Sequence, residues 1–425
     1  MRIAIVGAGI SGLTVAYLLH DRHEITVFEA AGYAGGHTNT IRVDTPNETH
    51  HVDTGFIVFN DRNYPAFERL LARLGVAWQP STMSFGVSDG LGDFEYSGAS
   101  PNGLFANRRH LLTPWFHRMI SDLVRFNRAA RALLSAATEG GGRGPSLEEW
   151  LERERFSRPF IDRLIVPQVS AVWSADPRQA WSFPARFLVE FFDHHGMLGF
   201  RDRPRWRVIR GGSARYVEAL TAPFAHRVRL RTPVHAVTRD ADGVRVQTRS
   251  GEAERFDEVV LATHSDQALA LLADASQAER DILGAIPYQV NEAVLHTDVR
   301  MLPHRRRAWA SWNYHWQPEP EPKPKPSSRA TVTYHMNRLQ SLRAEREFCV
   351  TLNRTQAIDP DRVIETVRYA HPVYTEAGVQ AQRHIDWISG QRRTHYCGAY
   401  WGWGFHEDGV RSAMRVAEHF RGARL

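Results

Sequence analysis

Lysine is nearly missing from this chain: of its 53 basic residues only Lys323 and Lys325 are lysine, and the rest are arginine. Almost no ε-amine is therefore available for catalysis. Cysteine is equally scarce. Cys349 and Cys397 are the whole complement, and their separation offers neither a disulfide framework nor metal-ligand spacing. The 21 histidines show no short His-x-x-x-His pattern, so no metal site is expected. No apolar run approaches the roughly 20 residues of a spanning helix. No nucleic-acid recognition motif accompanies the net charge of +6, which makes nucleic acid an unexpected partner. No internal repeat is found. With a first strand starting at residue 2, no targeting segment is expected, and a cytoplasmic location with reduced thiols follows.

What is present reads as a globular protein. A length of 425 residues, 43% hydrophobic and 24% charged, suits about two domains with sizeable cores. The densest information lies at the start. An apolar run, Ile3 to Val6, enters Gly7-Ala8-Gly9-Ile10-Ser11-Gly12, and a helical pattern follows. Gly7 permits a tight strand-to-helix turn, Gly9 lets a pyrophosphate approach the backbone, and Gly12 lets helix and sheet pack closely. The helix N-terminus offers unpaired N–H groups to phosphate. A second strand, Ile25 to Phe28, ends in Glu29 followed by Ala30, where a carboxylate accepts from a ribose diol.

Further segments extend the pattern. Gly35-Gly36-His37-Thr38 suits a loop lying close to a cofactor, and Val52 to Phe59, through Thr54, Gly55 and Phe56, reads as a strand entered by a polar turn. Residues 231–237 and 244–248 read as a hairpin across Asp242-Gly243. Phe256 to Leu261 is a buried strand ending at Ala262, His395 to Tyr400 is another, and Glu407-Asp408-Gly409-Val410 opens a final helix.

This ordered set resembles the flavin-containing amine oxidoreductase superfamily, which includes monoamine oxidases, protoporphyrinogen oxidases and carotene desaturases. The wording GGHTNT, VDTGFIVFN, YQVNEAVLHTD, ASWNYHW and YCGAYWGWGFHEDG is similar to a bacterial branch described only as FAD-binding. The resemblance implies an α/β fold: a glutathione-reductase-type, Rossmann-like FAD domain interleaved with an α+β substrate domain carrying a helical subdomain. The FAD domain is expected over 1–80, 205–285 and 385–425. The substrate domain takes 81–204 and 286–384, with 317–328 an exposed Pro-rich loop.

Carried onto this chain, the resemblance puts Gly7, Gly9, Ile10, Ser11 and Gly12 at the pyrophosphate, Glu29 and Ala30 at the adenosine ribose, and Val234 at the adenine. Gly35, Gly36, His37, Thr38, Thr54, Gly55, Phe56 and Ala262 would line the cofactor. Gly398, Asp408, Gly409 and Val410 would sit by the ribityl chain and isoalloxazine, where the last helix aims its N-terminus at the flavin's carbonyl edge. His37 departs from the family, standing where many relatives carry arginine. A second Gly-x-Gly-x-x-Gly is absent, so oxygen, a quinone or a carrier protein is the expected electron acceptor. The implied FAD is non-covalent.

In many amine-oxidising relatives a substrate-domain lysine reaches the flavin N5 through water. Both lysines here lie in the Pro-rich stretch, which argues for the desaturase-like side of the superfamily. Aromatic segments around Trp312, Tyr334, His335, Tyr400 and Trp403 suit a long apolar ligand with one polar end. No acidic residue stands out to pair with an ammonium, and Glu292, Asp298 and Glu407 stay open for that role. His406, directly before the Glu407-Asp408-Gly409 turn, is the candidate general acid/base.

Residues 107–137 read as one long helical stretch with an apolar stripe and with Arg108, Arg109, Arg118, Arg125, Arg128 and Arg131 elsewhere. Packing within the domain accounts for the stripe more simply than a membrane surface, while peripheral contact with anionic lipid is compatible with it. The first reading is an FAD-dependent oxidoreductase that removes hydrogen from an apolar small molecule, lipid or isoprenoid. The alternatives are an amine oxidase with an atypical site, a flavin-dependent isomerase or mutase without net redox, and a non-catalytic flavin-stabilised partner.

Overall fold

The computed structural model describes residues 1–136, 144–173, 181, 184–199, 203–316 and 329–425. The strand Arg2–Val6 lies at the centre of a five-stranded parallel sheet, between Glu24–Phe28 and Glu258–Leu261. Val228–Arg229 and Thr394–Tyr396 form its edges. A parallel sheet is covered on both faces, and alternate residues here serve two cores. Ile3, Ile5, Ile25, Val27 and Val260 pack on helices Ile10–Leu19, Pro65–Leu74, Ala214–Thr221 and His406–His419. Ala4, Val6, Phe28, Val259 and Leu261 pack on an antiparallel sheet of Val234–Asp240, Gly243–Thr248 and Ala253–Phe256. The result is the three-layer Rossmann-like arrangement expected from the sequence.

A second, seven-stranded sheet runs in the order Val363–Pro372, Tyr288–His296, Cys349–Leu352, Val332–His335, Trp312–His315, Phe85–Ser88, Glu95–Ser97. Its pairs are antiparallel except that of Phe85–Ser88 with Trp312–His315. Helices Pro114–Ser135, Leu147–Arg153, Val166–Trp173 and Ala185–His194 build a helical layer around Phe126, Trp150, Phe160 and Phe192. The capping box read at Ser146 is present, with Ser146 Oγ accepting from Glu149 N at 3.2 Å and Glu149 Oε2 from Ser146 N at 2.8 Å. None of the helices among the described residues is long and apolar enough to cross a membrane.

Five local expectations need correction. His395 to Tyr400 is no continuous strand: the strand is Thr394–Tyr396, and Ala399–Trp401 is a 3-10 turn. The helical stretch at 107–137 is two elements, a 3-10 turn Arg108–Leu112 and the helix Pro114–Ser135. Pro114 has no N–H to continue the first and disfavours helical backbone at Thr113, yet it suits the first position of the second. Val52 to Phe59 is no continuous strand: pairing stops at Asp53, because Phe56 N turns to His37 O at 2.8 Å. The hairpin turns at Ala241-Asp242, one residue early, with Asp240 Oδ1 accepting from Asp242 N and Gly243 N. Phe256 to Leu261 splits at Asp257 between two sheets, since Asp257 N and its carboxylate hold the main chain of Arg2. The Pro-rich stretch 317–328 and the glycines at 140–142 lie outside the described residues.

One buried ion pair ties the sheets beneath the site. Arg239 donates to Asp274 Oδ1 at 2.9 Å and to Glu279 at 2.5 and 3.0 Å, while Tyr396 OH donates to Glu279 Oε1 at 2.5 Å. Tyr396 closes the strand that leads into Gly398. Burial pushes the Glu279 carboxyl up, but hydrogen bonds from Arg239 and Tyr396 outweigh it and hold the group at about 2. Arg239→Met leaves Glu279 buried without its cation, and we expect a loss of about 3–5 kcal/mol in urea unfolding. The Glu279 pKa is depressed on folding, so its contribution is complete above its ordinary 4.5 and is lost as pH falls towards 2. Wild type and variant should converge in acid.

Candidate functional site

The Gly7–Gly12 turn is shaped by contact on one side and space on the other. Gly7 has φ +105°, and a Cβ there would stand 2.8 Å from Ala262 O. A Cβ at Gly12 would stand 2.0 Å from Gly7 O, so the helix starts against its own turn. Gly9 differs. Its φ of −78° suits any residue, and a Cβ there meets no protein atom within 4 Å. The first N–H groups of Ile10–Leu19 have no intrahelical acceptor and border this open space. Gly35 N donates to Ala8 O at 2.7 Å, and Gly36 approaches the Gly9 Cα closely. The result is an open, backbone-lined cradle at a helix N-terminus, a setting whose N–H groups suit an anion.

Glu29 ends the second strand beside this cradle. Its Oε2 accepts from Ala8 N and its Oε1 from Ala31 N, both at 2.8 Å. Each oxygen keeps acceptor capacity for a ribose hydroxyl. Val234 is brought near by the chain that precedes it, through Glu29 N to Arg229 O at 2.9 Å and Thr232 N to Glu29 O at 2.8 Å. Ala30 follows Glu29 directly, and Ala262 packs under Gly7 and Gly12.

The loops at 35–38 and 54–56 are joined to the last helix. Thr38 Oγ1, Tyr216 OH and His406 Nε2 form a triangle of 2.5, 2.9 and 2.9 Å. The His406 ring stacks on Phe56 at 3.5 Å and 14°. Burial drives its pKa well below the ordinary value, so the imidazole is neutral. The sequence read His406 as an acid/base group, yet this nitrogen is occupied by two hydroxyls and the ring by a phenylalanine. As it stands, His406 fastens the helix start to the Thr38 loop. Its neighbours are equally engaged. Glu407 accepts from Ala66 N and Phe67 N at 3.0 Å, capping the helix Pro65–Leu74. Asp408 Oδ2 accepts from Trp403 N and Phe405 N at 3.1 and 3.0 Å, and burial raises its carboxyl to about 6. Gly409 packs against Ile10 and Ser11, Gly398 against the Tyr400 ring, and Val410 is fully buried.

Across the loop stands the second sheet. Thr54 Oγ1 meets Tyr369 OH at 2.8 Å, while Gly55 packs on His37 O. His37 Nε2 meets Ala370 O at 3.1 Å. The His37 ring lies 5.7 Å from His264 and 5.2 Å from His371. Burial, then the neighbouring imidazoles, holds His37 and His264 at about 4 and His371 at about 3. Where many relatives carry arginine, this chain has an uncharged ring among uncharged rings.

An aromatic enclosure lies beyond the Trp403–Phe405 loop. Tyr374 stacks on Phe187 at 5.3 Å, Trp173 meets Phe191 at 4.8 Å, and Phe191 stacks on Phe405 at 5.5 Å. Trp403 is held by Trp173 Nε1, which donates to its carbonyl at 3.3 Å, and meets His194 edge-on at 4.8 Å. Tyr374 is 3% exposed and its hydroxyl has no hydrogen-bond partner. A cavity of about 380 Å³ opens beside it, lined by residues 287–290, Arg329 and residues 373–375.

The five expected substrate residues do not form one group. Trp312 and Tyr334 pair across two strands with rings 5.0 Å apart. His335 is turned to Glu347 Oε2 at 2.7 Å and to Trp309. Tyr400 packs against Trp401, and Trp403 joins the enclosure. The sequence reading missed Tyr374, Phe187 and Trp173. Tyr374 had a signal, an aromatic two residues after the strand end at Pro372, but Phe187 and Trp173 look like any helical core residue. Among the described residues no cluster of His, Cys, Asp or Glu could hold a metal ion.

The family model for flavin containing amine oxidoreductases matches residues 10–419. Among solved structures, cyclohexylamine oxidase from Brevibacterium oxydans IH-35A aligns with a TM-score of 0.70 at 16% identity, over 99% of each chain. Putrescine oxidase bound to putrescine gives 0.68 at 15% identity, again over 99% of each. A CLA-producing fatty acid isomerase from P. acnes gives 0.67 at 17% identity, over 99% of this chain and 98% of that one. At such identities the likeness is one of fold.

Gly9→Val provides a clean test of the cradle. Its Cβ meets no protein atom, so the variant should fold with a near-native thermal transition and purify without yellow colour. A yellow Gly9→Val protein would mean that the cofactor does not use this space.

Proposed function

The chain belongs to the flavin-containing amine oxidoreductase family, and from that premise we propose that it binds FAD non-covalently and removes hydrogen from an apolar, lipid or isoprenoid, substrate. The chemistry supplied by a bound flavin is the uptake of a hydride equivalent from the substrate. The chain's own part is to hold, orient and exclude water. Gly9, Ile10, Ser11 and Gly12 hold the pyrophosphate, Glu29 the ribose, and the Thr38 loop with Gly398 and residues 408–410 the ring end. Support for non-covalent attachment comes from Cys349 and Cys397, both fully buried with thiols pushed up by burial.

The observation that carries the substrate reading is the engagement, among the described residues, of the acids first considered as amine partners. No lysine exists outside residues 323 and 325. The acids first considered as ammonium partners are all taken: Glu292 accepts from Thr355, Asp298 binds Arg300 at 2.6 Å, and Glu407 caps a helix. The enclosure of Trp173, Phe187, Phe191, Tyr374, Trp403 and Phe405 instead presents rings, with the Tyr374 hydroxyl as its unpaired polar group. Apolar surface packed on those rings contributes binding roughly in proportion to area. The shared fold accommodates both chemistries, since the similar structures include amine oxidases and a fatty acid isomerase. The acid/base role of His406 is not carried into this reading.

Anaerobic mixing decides between substrates. Acyl-lipid or isoprenoid fractions should bleach the bound flavin's band near ~450 nm, with the cofactor carrying the redox change, and common amines should not. Fast bleaching by a simple amine would establish the atypical amine oxidase instead. Conversion of lipid without any electron acceptor would point to the isomerase reading. At the cofactor's other end, Glu29→Ala removes charge-assisted bonds each worth about 1.5–3 kcal/mol, so FAD should bind roughly tenfold more weakly or worse. Equal affinity would confine Glu29 to holding the Ala8 and Ala31 backbone.

A further inference from the structure

The strongest unexplained surface lies at an edge of the seven-stranded sheet. Leu112 is 90% exposed, Leu91 74% and Leu111 48%. Leu111 and Leu112 end the 3-10 turn Arg108–Leu112, and Leu91 tips the loop between Phe85–Ser88 and Glu95–Ser97. Asn107 fastens the two loops together: its Nδ2 donates to Asp93 O at 2.8 Å while its Oδ1 accepts from Arg109 N at 3.1 Å. A third segment joins them, since Arg305 Nη1 donates to Gly92 O at 2.6 Å and Gly103 lies against Arg307 O. Exposed apolar tips thus stand among the exposed Arg108, Arg109, Arg306 and Arg307.

The charge around the leucines is one-sided. Asp89 is spent on the N–H groups of Leu91, Gly92 and Phe94, at 2.8–2.9 Å. Glu95 is fully buried and paired with Arg305 at 2.5 Å. Asp122 is buried and paired with Arg125 at 2.6 Å. Asp93 is the exposed acid of the loop. The platform beneath is stiff, with the Arg163 guanidinium clamped over Phe94, Trp115 and Trp316 at 4.9, 4.3 and 4.6 Å.

We propose that this surface docks the protein on an anionic phospholipid bilayer, with Leu111, Leu112 and Leu91 entering the acyl boundary and Arg108, Arg109, Arg306 and Arg307 meeting the headgroup phosphates. Protruding leucines suit a fluid apolar phase, and the exposed arginines beside them complement anionic lipid. The guanidiniums keep their charge at the interface and bind phosphate in a fork. The proposal rests on this surface and is independent of the substrate reading.

Flotation of the full, flavin-loaded chain with vesicles tests it. Vesicles of phosphatidylcholine mixed with phosphatidylglycerol should carry the protein, and phosphatidylcholine alone should not. Salt should release it. Arg108→Gln with Arg109→Gln should weaken binding about fivefold per arginine, and Leu111→Ser with Leu112→Ser by at least about tenfold. Trp387→Ser, an exposed aromatic outside these segments (66% exposed), should leave binding unchanged. With Cys349 and Cys397 buried, a polarity-sensitive dye on Leu112→Cys reports this one position and should shift to the blue on anionic vesicles. No binding to anionic vesicles, full binding by the leucine variant, or a dye that stays in water would each overturn the proposal. So would a leucine variant that changes only the oligomeric state, which would assign the surface to a second copy of the chain.

Discussion

Two helix N-termini meet in this protein, and the rest of the site is arranged around that meeting. Gly409, in the first turns of His406–His419, lies so close to Ile10 and Ser11 that a Cβ would stand 2.9 Å from both side chains. Each helix brings the positive end of its dipole and its unsatisfied N–H groups. Glu407 and Asp408 lie in the first turn of His406–His419, and Asp408 caps it by accepting from Phe405 N, whereas the first turn of Ile10–Leu19 carries neither an acid nor a side-chain cap. Like-signed ends held together by packing leave an electrostatic demand that an anionic or carbonyl-rich ligand meets. Glycine at Gly7, Gly9, Gly12 and Gly409 keeps the backbone near enough to deliver it.

Arginine in place of lysine has consequences beyond the active site. Arg239 sits in the core with three oxygen-bearing partners, and Arg163 is enclosed by three aromatic rings. A guanidinium stays charged under such burial and spreads its donors over several acceptors, which an ammonium does less well. A chain that uses arginine for its structural cations has no readily titrated amine to place beside a flavin. The acids follow the same pattern: those nearest the last helix are caps rather than ligands.

The cofactor end was legible in the sequence because its signals are local. The apolar run before Gly7, the spacing to Gly12 and the acid after Phe28 each describe one strand or one turn, and short-range sterics decide them. Ser146 and Glu149 were legible for the same reason. The helix at 107–137 was misjudged because periodicity persists through Thr113, while the break depends on the missing N–H of Pro114. Val52 to Phe59 was misjudged because Phe56 N finds its acceptor at His37, which no local pattern announces. The partners of His406 come from residues 38, 56 and 216, three separate stretches. The aromatic enclosure draws on the helical layer, a strand end and the C-terminal loop. Such sets become visible only when the chain is folded.

The two sheets are registered against one another by a short piece of chain, residues 37–56. Asp53 has no cation for a partner. It accepts from Thr40 Oγ1, Ser213 N and Oγ, and Gln340 Nε2, at 2.5–3.0 Å. Burial raises its carboxyl to about 7, with the bonds from Thr40 and Ser213 opposing the rise. Gln340 follows the Val332–His335 strand of the second sheet, whose edge strand carries Tyr369, which meets Thr54, and Ala370, which meets His37. The loop that carries Gly35 and Gly36 therefore continues directly into the joints that hold the second sheet. The placement of one sheet against the other is then set within one continuous segment. Polar joints also demand geometry that apolar packing alone does not, since a displaced hydroxyl or amide loses its partner while a displaced leucine finds another. Thr38, Asp53 and Thr54 are buried along residues 37–56 and each makes such a joint.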